Sequence, residues 1–178
     1  PGIGSLNTTF FGHLMVALDL REQALAAGDW VRRWIEANRE PLKRGVLFTQ
    51  MTPDGRLLTE IGPGERVAKM LDTQHPKQEF WHVGTAMAYL AVLYDTMRTR
   101  WKSTAEQARP YLDAAMALLD FESAMPLDTY LWPSKCKVGW GAGELLRVLV
   151  QHQLADEATR EKAYRVAERV ALFTFLDN

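Results

Sequence analysis

The run Asp72-Thr-Gln-His-Pro-Lys-Gln-Glu-Phe-Trp-His-Val-Gly-Thr-Ala-Met-Ala-Tyr-Leu90 changes character halfway along. Its first half is polar and dense in titratable groups. Its second half is apolar, rich in small residues and helical in spacing. From Gln78 to about Met97 apolar side chains (Phe80, Trp81, Val83, Ala86, Met87, Tyr89, Leu90, Val92, Leu93, Tyr94) occupy almost every face. A helix apolar on all sides is a buried one. The stretch therefore predicts a central helix with a site at its N-terminal end.

Two further segments share this pattern. Phe10 to Ala27 carries Phe11, Leu14, Met15, Leu18, Ala24 and Leu25 at helical spacing, and Gly28 reads as its stop. Lys135 to His152 carries Val138, Trp140, Ala142, Leu145, Leu146, Leu149 and Val150. The three look alike around their glycines: Gly12-His-Leu-Met-Val-Ala-Leu, Gly84-Thr-Ala-Met-Ala-Tyr-Leu and Gly141-Ala-Gly-Glu-Leu-Leu. Each is followed by an amphipathic helix: one from Asp29, one opened by the capping-box spacing Ser103-Thr-Ala-Glu and interrupted by Pro110, and one capped by Asp156. Buried then amphipathic, three times over, is the mark of a stacked helical architecture. A β-hairpin is expected near 46–61, around the turn Thr52-Pro-Asp-Gly, while 66–73 fits a strand or a short helix.

The 178 residues fit a single domain, with 47% hydrophobic and 24% charged residues. A net charge of −1 gives no pull toward nucleic acid or an acidic membrane. No apolar run reaches the ~20 residues that span a bilayer. The lone Cys136 excludes an internal disulfide and a Cys-cluster zinc site, and it suits a reducing, cytoplasmic compartment. Asn7-Thr-Thr matches a glycosylation sequon, but it reads better as a helix start.

Alternating inner and outer helices, with small and aromatic residues on the inner ones, resemble the (α/α) toroids: six-hairpin glycosidases, sugar epimerases and terpenoid-cyclase-like barrels. The stretches 77–86 and 132–142 carry the resemblance as motifs. It implies an all-α fold of three α-hairpins. Three hairpins are about half of a six-hairpin ring, so a second copy, or the remainder of a longer chain, is expected to complete it. The acidic signatures of terpene cyclases are absent, and one cysteine cannot reproduce the two-Cys, one-His zinc site of lanthipeptide cyclases.

If the buried helices run parallel, their N-termini gather at one end, which the resemblance makes the mouth of an active site. Free N–H groups and the helix dipole favour an anionic or carbonyl group there. The 46–61 hairpin would lie across it as a lid. Asp72, His75, Glu79 and His82 are the densest titratable cluster; 75/79 and 79/82 are four and three apart, as in an acid–base pair or a His/Glu/His metal site. Pro76 and the lack of HExxH argue against metal, and the same residues also suit a capping and salt-bridge loop.

Glu144, on an otherwise apolar helix, is a candidate general acid. Lys77, Lys135 and Lys137 are candidates for binding an anion, and Trp81, Tyr89, Trp132 and Trp140 for lining an apolar or sugar-binding pocket. His13 and Asp19 hold comparable places on the first buried helix. No cofactor motif is present. The expected ligand is a small molecule. The leading expectation is acid–base cyclisation or isomerisation of a largely apolar, terpenoid- or polyketide-like metabolite. A carbohydrate hydrolase, lyase or epimerase with two carboxylates across a pocket, and a non-catalytic helical binding module, are the alternatives.

Overall fold

The chain enters through a two-residue strand, β1 (Ile3–Gly4), and its first helix, α1 (Ser5–Ala17), contains no Asp, Glu, Lys or Arg. The computed structural model describes residues 2–75 and 77–176, with the side chains of 67, 133, 175 and 176 excepted. Pro76, expected to break the local helix, lies outside the described residues. After α1 come α2 (Arg21–Ala37), the short α3 (Arg39–Lys43), β2 (Val46–Phe48), β3 (Gln50–Met51), α4 (Arg66–Lys69) and β4 (Met70–Asp72). Then follow α5 (Trp81–Thr99), α6 (Ala105–Ser123), two 3₁₀ turns (Leu127–Leu131 and Pro133–Lys135), α7 (Cys136–Gln151) and α8 (Glu157–Leu176).

The first hairpin turns nine residues before the expected place. Asp19, not Gly28, ends the helix: it takes a left-handed φ of 58°, and Leu20 N–H bonds the Met15 carbonyl at 2.9 Å. Asp tolerates that conformation where most side chains do not. Gly28 lies inside α2, where a Cβ would overlap Leu93 and come within 3.0 Å of Tyr111. It is a packing notch, and its sequence signal is the same as that of a helix stop. The same device closes α7, where Gln153 (φ 52°) lets Leu154 N–H reach Leu149 C=O at 2.8 Å. It also follows α5, with Lys102 at φ 54°.

The helices form two rows. α5 packs between α1 and α7, and behind them α6 packs between α2 and α8. The inner row is parallel. Thr9 meets Thr85 (3.2 Å) near the start of α1 and α5, and Arg100 reaches Val16 C=O (3.2 Å) at their far ends. Along α5 and α7, Gly84 meets Gly141 and Asp95 meets Arg147. The three N-termini therefore share one end of the row. The glycines set the spacing: a Cβ at Gly12 would overlap the Tyr89 ring, one at Gly84 the backbone of Lys137 and Val138, and one at Gly141 the Gly84 carbonyl. α5, flanked on both sides, is buried almost throughout, whereas α1 leaves Phe10, Phe11, Leu14 and Leu18 exposed.

The expected hairpin near 46–61 forms only in its first arm and turn. Residues 46–51 pair outward instead: β2 with β4 antiparallel (Leu47 opposite Leu71), and β3 with β1 (Met51 opposite Ile3). Residues 56–61 contribute a single bridge, Leu57 to Met51. Segment 66–73 is a helical turn followed by a strand. α5 begins at Trp81, three residues later than expected, and α6 runs unbroken through Pro110 behind a complete capping box at Thr104 and Gln107.

Gly84→Ala will lower unfolding free energy in urea by about 3 kcal/mol, because the obstructing atoms are backbone and no rotamer relieves them. Gly143→Ala, on a neighbouring turn of α7 with nothing within 4 Å of its Cβ position, will instead gain up to about 1 kcal/mol.

Candidate functional site

The shared N-terminal end is tied together by polar side chains that the helices themselves present. Phe80 N–H donates to Ser134 Oγ at 3.2 Å, and the Ser134 hydroxyl donates to Gln78 C=O at 2.5 Å, joining the starts of α5 and α7. The Gln78 side chain accepts from Asp72 N–H (2.8 Å) and donates to Asp72 C=O (2.8 Å) and to the His75 carbonyl. Ser5 N–H bonds Thr49 C=O at 3.0 Å, and Trp34 and Asn38 hold both backbone groups of Phe48. The 46–51 segment thus packs over this end, with Leu47, Met51 and Leu71 in the core.

Three side chains form a relay there. Ser5 Oγ lies 2.8 Å from His82 Nδ1, and His82 Nε2 lies 3.4 Å from Glu79 Oε2. The contacts fit a neutral imidazole whose Nε2–H faces Glu79 while Nδ1 accepts from Ser5. Burial pushes the His82 pKa from 6.5 down to about 4. Glu79 is less enclosed, its side chain 30% exposed. Burial raises its pKa, against a smaller lowering from the Trp81 indole. Ser5 has no exposure, so it positions His82 and is closed to an approaching substrate.

The other members of the expected cluster stand apart. The Asp72 carboxylate accepts from Arg66 (2.8 Å) and from Gln74 N–H (2.9 Å), as a turn-forming Asp does. His75 and Lys77 are exposed, with Lys77 Nζ 5.9 Å from the Trp132 ring centroid. Lys135, expected to face a ligand, is buried beneath the site. Its Nζ sits 2.5 Å from Glu122 Oε2, 2.7 Å from Met125 Sδ, and 3.9 and 4.7 Å from the Phe80 and Tyr130 ring centroids. Burial lowers the Lys135 pKa and raises that of Glu122, whose Oε1 has no partner among the described residues. Cys136 and Lys137 are exposed at the start of α7.

A second group lies one to two turns along the front of the inner row. His13 stacks on Trp140 (5.0 Å, 25°) and tilts against Tyr89 (5.4 Å), bridging α1 and α7 across α5. Burial lowers its pKa, the Thr85 backbone and Glu144 hold it up, and its buried Nε2 is unpartnered among the described residues. Glu144 accepts from Arg147 (3.0 Å), which also donates to Asp95 (3.0 Å); Asp95 in turn contacts His152 Nε2 (2.8 Å). Tyr89 is a core spacer rather than a pocket wall, its hydroxyl donating to Ala24 C=O at 2.5 Å. Trp81 is half-buried and Trp140 is 39% exposed. Trp81 begins the front face of α5, on which Ala88 is wholly covered.

A large groove lies elsewhere. It measures about 800 Å³, between α2–α3 and α6 on the outer row, with Thr73 and Gln74 at one end. Its floor includes Ile35, Leu42, Ala114 and Phe121. Arg39, Lys43 and Arg44 stand on one wall, and Asp113 and Asp120 on the other. Among the described residues, no three His, Cys, Asp or Glu side chains are placed to hold a metal ion. No helix there is long and apolar enough to cross a membrane.

Sequence spacing alone identified the 79/82 pair. It missed Ser5, Ser134 and Glu122, which come from other elements and belong to no local motif. The one readable signal was a carboxylate, Glu122, at the end of an apolar run. No protein family, curated protein or solved structure matches the chain.

Two outcomes follow. Above pH 6.5 His82 is neutral folded or unfolded; as pH falls from 6.5 toward 4 only the unfolded chain takes up the proton. Stability therefore drops across that window by about 3 kcal/mol. Because the raised Glu79 pKa acts in the opposite sense, urea titrations of Glu79→Gln will be compared with those of Glu79→Gln/His82→Gln, which will lose this slope. Separately, Lys135→Met will cost about 3–5 kcal/mol by stranding the Glu122 carboxylate. Adding Glu122→Gln will recover a large part of that loss.

Proposed function

We propose that this chain forms part of the wall of an (α/α)-toroid enzyme acting on a small, largely apolar metabolite of terpenoid or polyketide type, by cyclisation or isomerisation. The observation that carries the reading is the Glu79–His82–Ser5 relay at the shared N-terminal end of parallel inner helices, with the stacked His13–Trp140 pair further along the same row. Glu79 is the acid–base group: partly enclosed, with burial raising its pKa. His82 is its positioning partner, held by Ser5. The Trp81 and Trp140 rings offer apolar contact and π-faces for a developing cation. Lys137 and Trp132 lie at the rim. A reducing, cytoplasmic setting suits the exposed free Cys136.

The carbohydrate alternative has a second carboxylate, Glu144, but it is engaged by Arg147. The binding-module alternative draws on a different feature, the outer groove with its apolar floor and oppositely charged walls.

Titrating the protein with an isoprenoid alcohol, an aromatic polyketide and a neutral oligosaccharide, while following tryptophan fluorescence, separates these readings. Saturable binding of the first two, weakened about tenfold by Trp140→Ala and not by Arg39→Ala in the outer groove, is the expected result. Saturation by the oligosaccharide alone would support the carbohydrate enzyme. A response lost with Arg39→Ala, and indifferent to Trp140→Ala, would support the binding module.

A further inference from the structure

α2 and α6 touch where Gly28 meets Tyr111, whose hydroxyl donates to Asp29 at 3.0 Å. Further along both helices they part, and the outer groove of about 800 Å³ opens between them, a volume within the range of small-molecule sites. Ile35, Ala114 and Phe121 on its floor are buried, and Leu42 and Ala117 are half-buried. No buried, unpartnered side-chain polar atom among the described residues belongs to this floor. It therefore offers apolar contact and asks for no hydrogen bonds. Phe121 is the one aromatic ring among the described residues that line it. Aliphatic walls without rings to stack on suit an alkyl chain better than a sugar face or a fused ring system.

The charges around the groove leave a remainder of one sign. On the α6 side Asp113 is neutralised by Arg109 and Asp120 by Lys162, each at 2.6 Å. On the facing side Arg32 lies 3.6 Å from Asp29, Arg39 2.7 Å from Glu36 and Lys43 2.6 Å from Glu40. Arg44 makes no side-chain hydrogen bond or ion pair among the described residues, and the carboxylate that feels its charge, Glu40, is already held by Lys43. Arg44 stands at the end of the groove where Thr73 N–H bonds Gly45 C=O at 2.9 Å. Gln74 flanks the same end, its amide making only a long 3.4 Å bond to Thr73.

We propose that this groove binds a free aliphatic carboxylate, a fatty-acid-like amphiphile, with its head at Arg44 and Gln74 and its chain along Ile35, Leu42, Ala117 and Phe121. One unneutralised guanidinium matches one carboxylate. The concave floor takes a single chain lengthwise rather than the face of a bilayer. None of the lining residues belongs to the Glu79–His82–Ser5 relay, so the inference goes beyond the proposed function and would stand with a different substrate there.

Isothermal titration calorimetry with sodium decanoate, kept below its micelle concentration, tests it. The expected result is saturation at one decanoate per chain. Hexanoate should bind about tenfold or more weakly, because it buries fewer methylenes. Arg44→Ala should weaken decanoate binding about tenfold, and Ala117→Glu, which puts a charge on the floor, should do so at least as strongly. Arg44 holds nothing else in the fold, so unchanged urea unfolding of Arg44→Ala will separate loss of binding from loss of structure. Three results would overturn the proposal. One is equal binding of decanoate and the decyltrimethylammonium cation, indifferent to Arg44→Ala, which is unspecific apolar uptake. Another is decanoate binding lost with Trp140→Ala and not with Arg44→Ala, which would place the ligand against the inner row. The third is no saturation by decanoate; Arg44-dependent sedimentation with phosphatidylglycerol vesicles would then assign the patch to a membrane surface, and an Arg44-dependent dimer in light scattering to a second copy.

Discussion

α5 and α7 touch through their backbones. At Gly84 and Gly141 no side chain separates the helices, and the Gly84 carbonyl lies where a Cβ on Gly141 would be. Helices this close gain dispersion contacts and Cα–H···O contacts along the seam, each small and together substantial. The distance fixed there propagates in both directions. Toward the N-termini it lets Ser134 bond both Phe80 and Gln78, and toward the C-termini it lets Arg147 and His152 reach Asp95. A methyl group at either glycine would push these pairs out of register at once.

The N-terminal end combines two kinds of polar burial with different consequences. Lys135 and Glu122 are ionisable groups enclosed beneath the site, among Phe80, Tyr130 and Met125. Such a pair gains little over an apolar replacement, yet losing one member is costly, so it fixes the 3₁₀ turns before α7 in one position. His82 is a single titratable ring kept neutral by burial, with both nitrogens engaged. It transmits orientation from Ser5 to Glu79 without contributing charge. The result is a carboxyl group at the surface with a rigid support behind it, which is what a positioned acid–base group needs.

The front of the inner row is closed by side chains in this single chain, since His13 and Trp140 meet over α5. The row has three members, and the exposed Phe10, Phe11 and Leu14 of α1 lie on its outer edge.

Much of the architecture was legible in the residues themselves. Largely apolar, small-residue runs around Gly12, Gly84 and Gly141 determined which helices are inner, and charge periodicity determined which are outer. The cap at Asp156 marked a true start, because a cap is a local hydrogen bond between near neighbours, whereas the capping box expected from Ser103 and Glu106 forms one residue later, at Thr104 and Gln107. The 79/82 pair was readable for the same reason, being two residues one helical turn apart. Tertiary structure decided the rest. Gly28 became a notch because Leu93 and Tyr111 arrive there, and Asp19 became the stop. The 46–51 segment took β4 and β1 as partners, with Leu47 and Met51 in the core, and the 56–61 arm adds only Leu57 at its edge. Lys135 went inward because Glu122, thirteen residues earlier, was already committed to the core, and Ser5 joined His82 across 77 residues. Periodicity and capping are properties of neighbours in sequence; which faces meet is a property of the packed whole, and no local pattern encodes it.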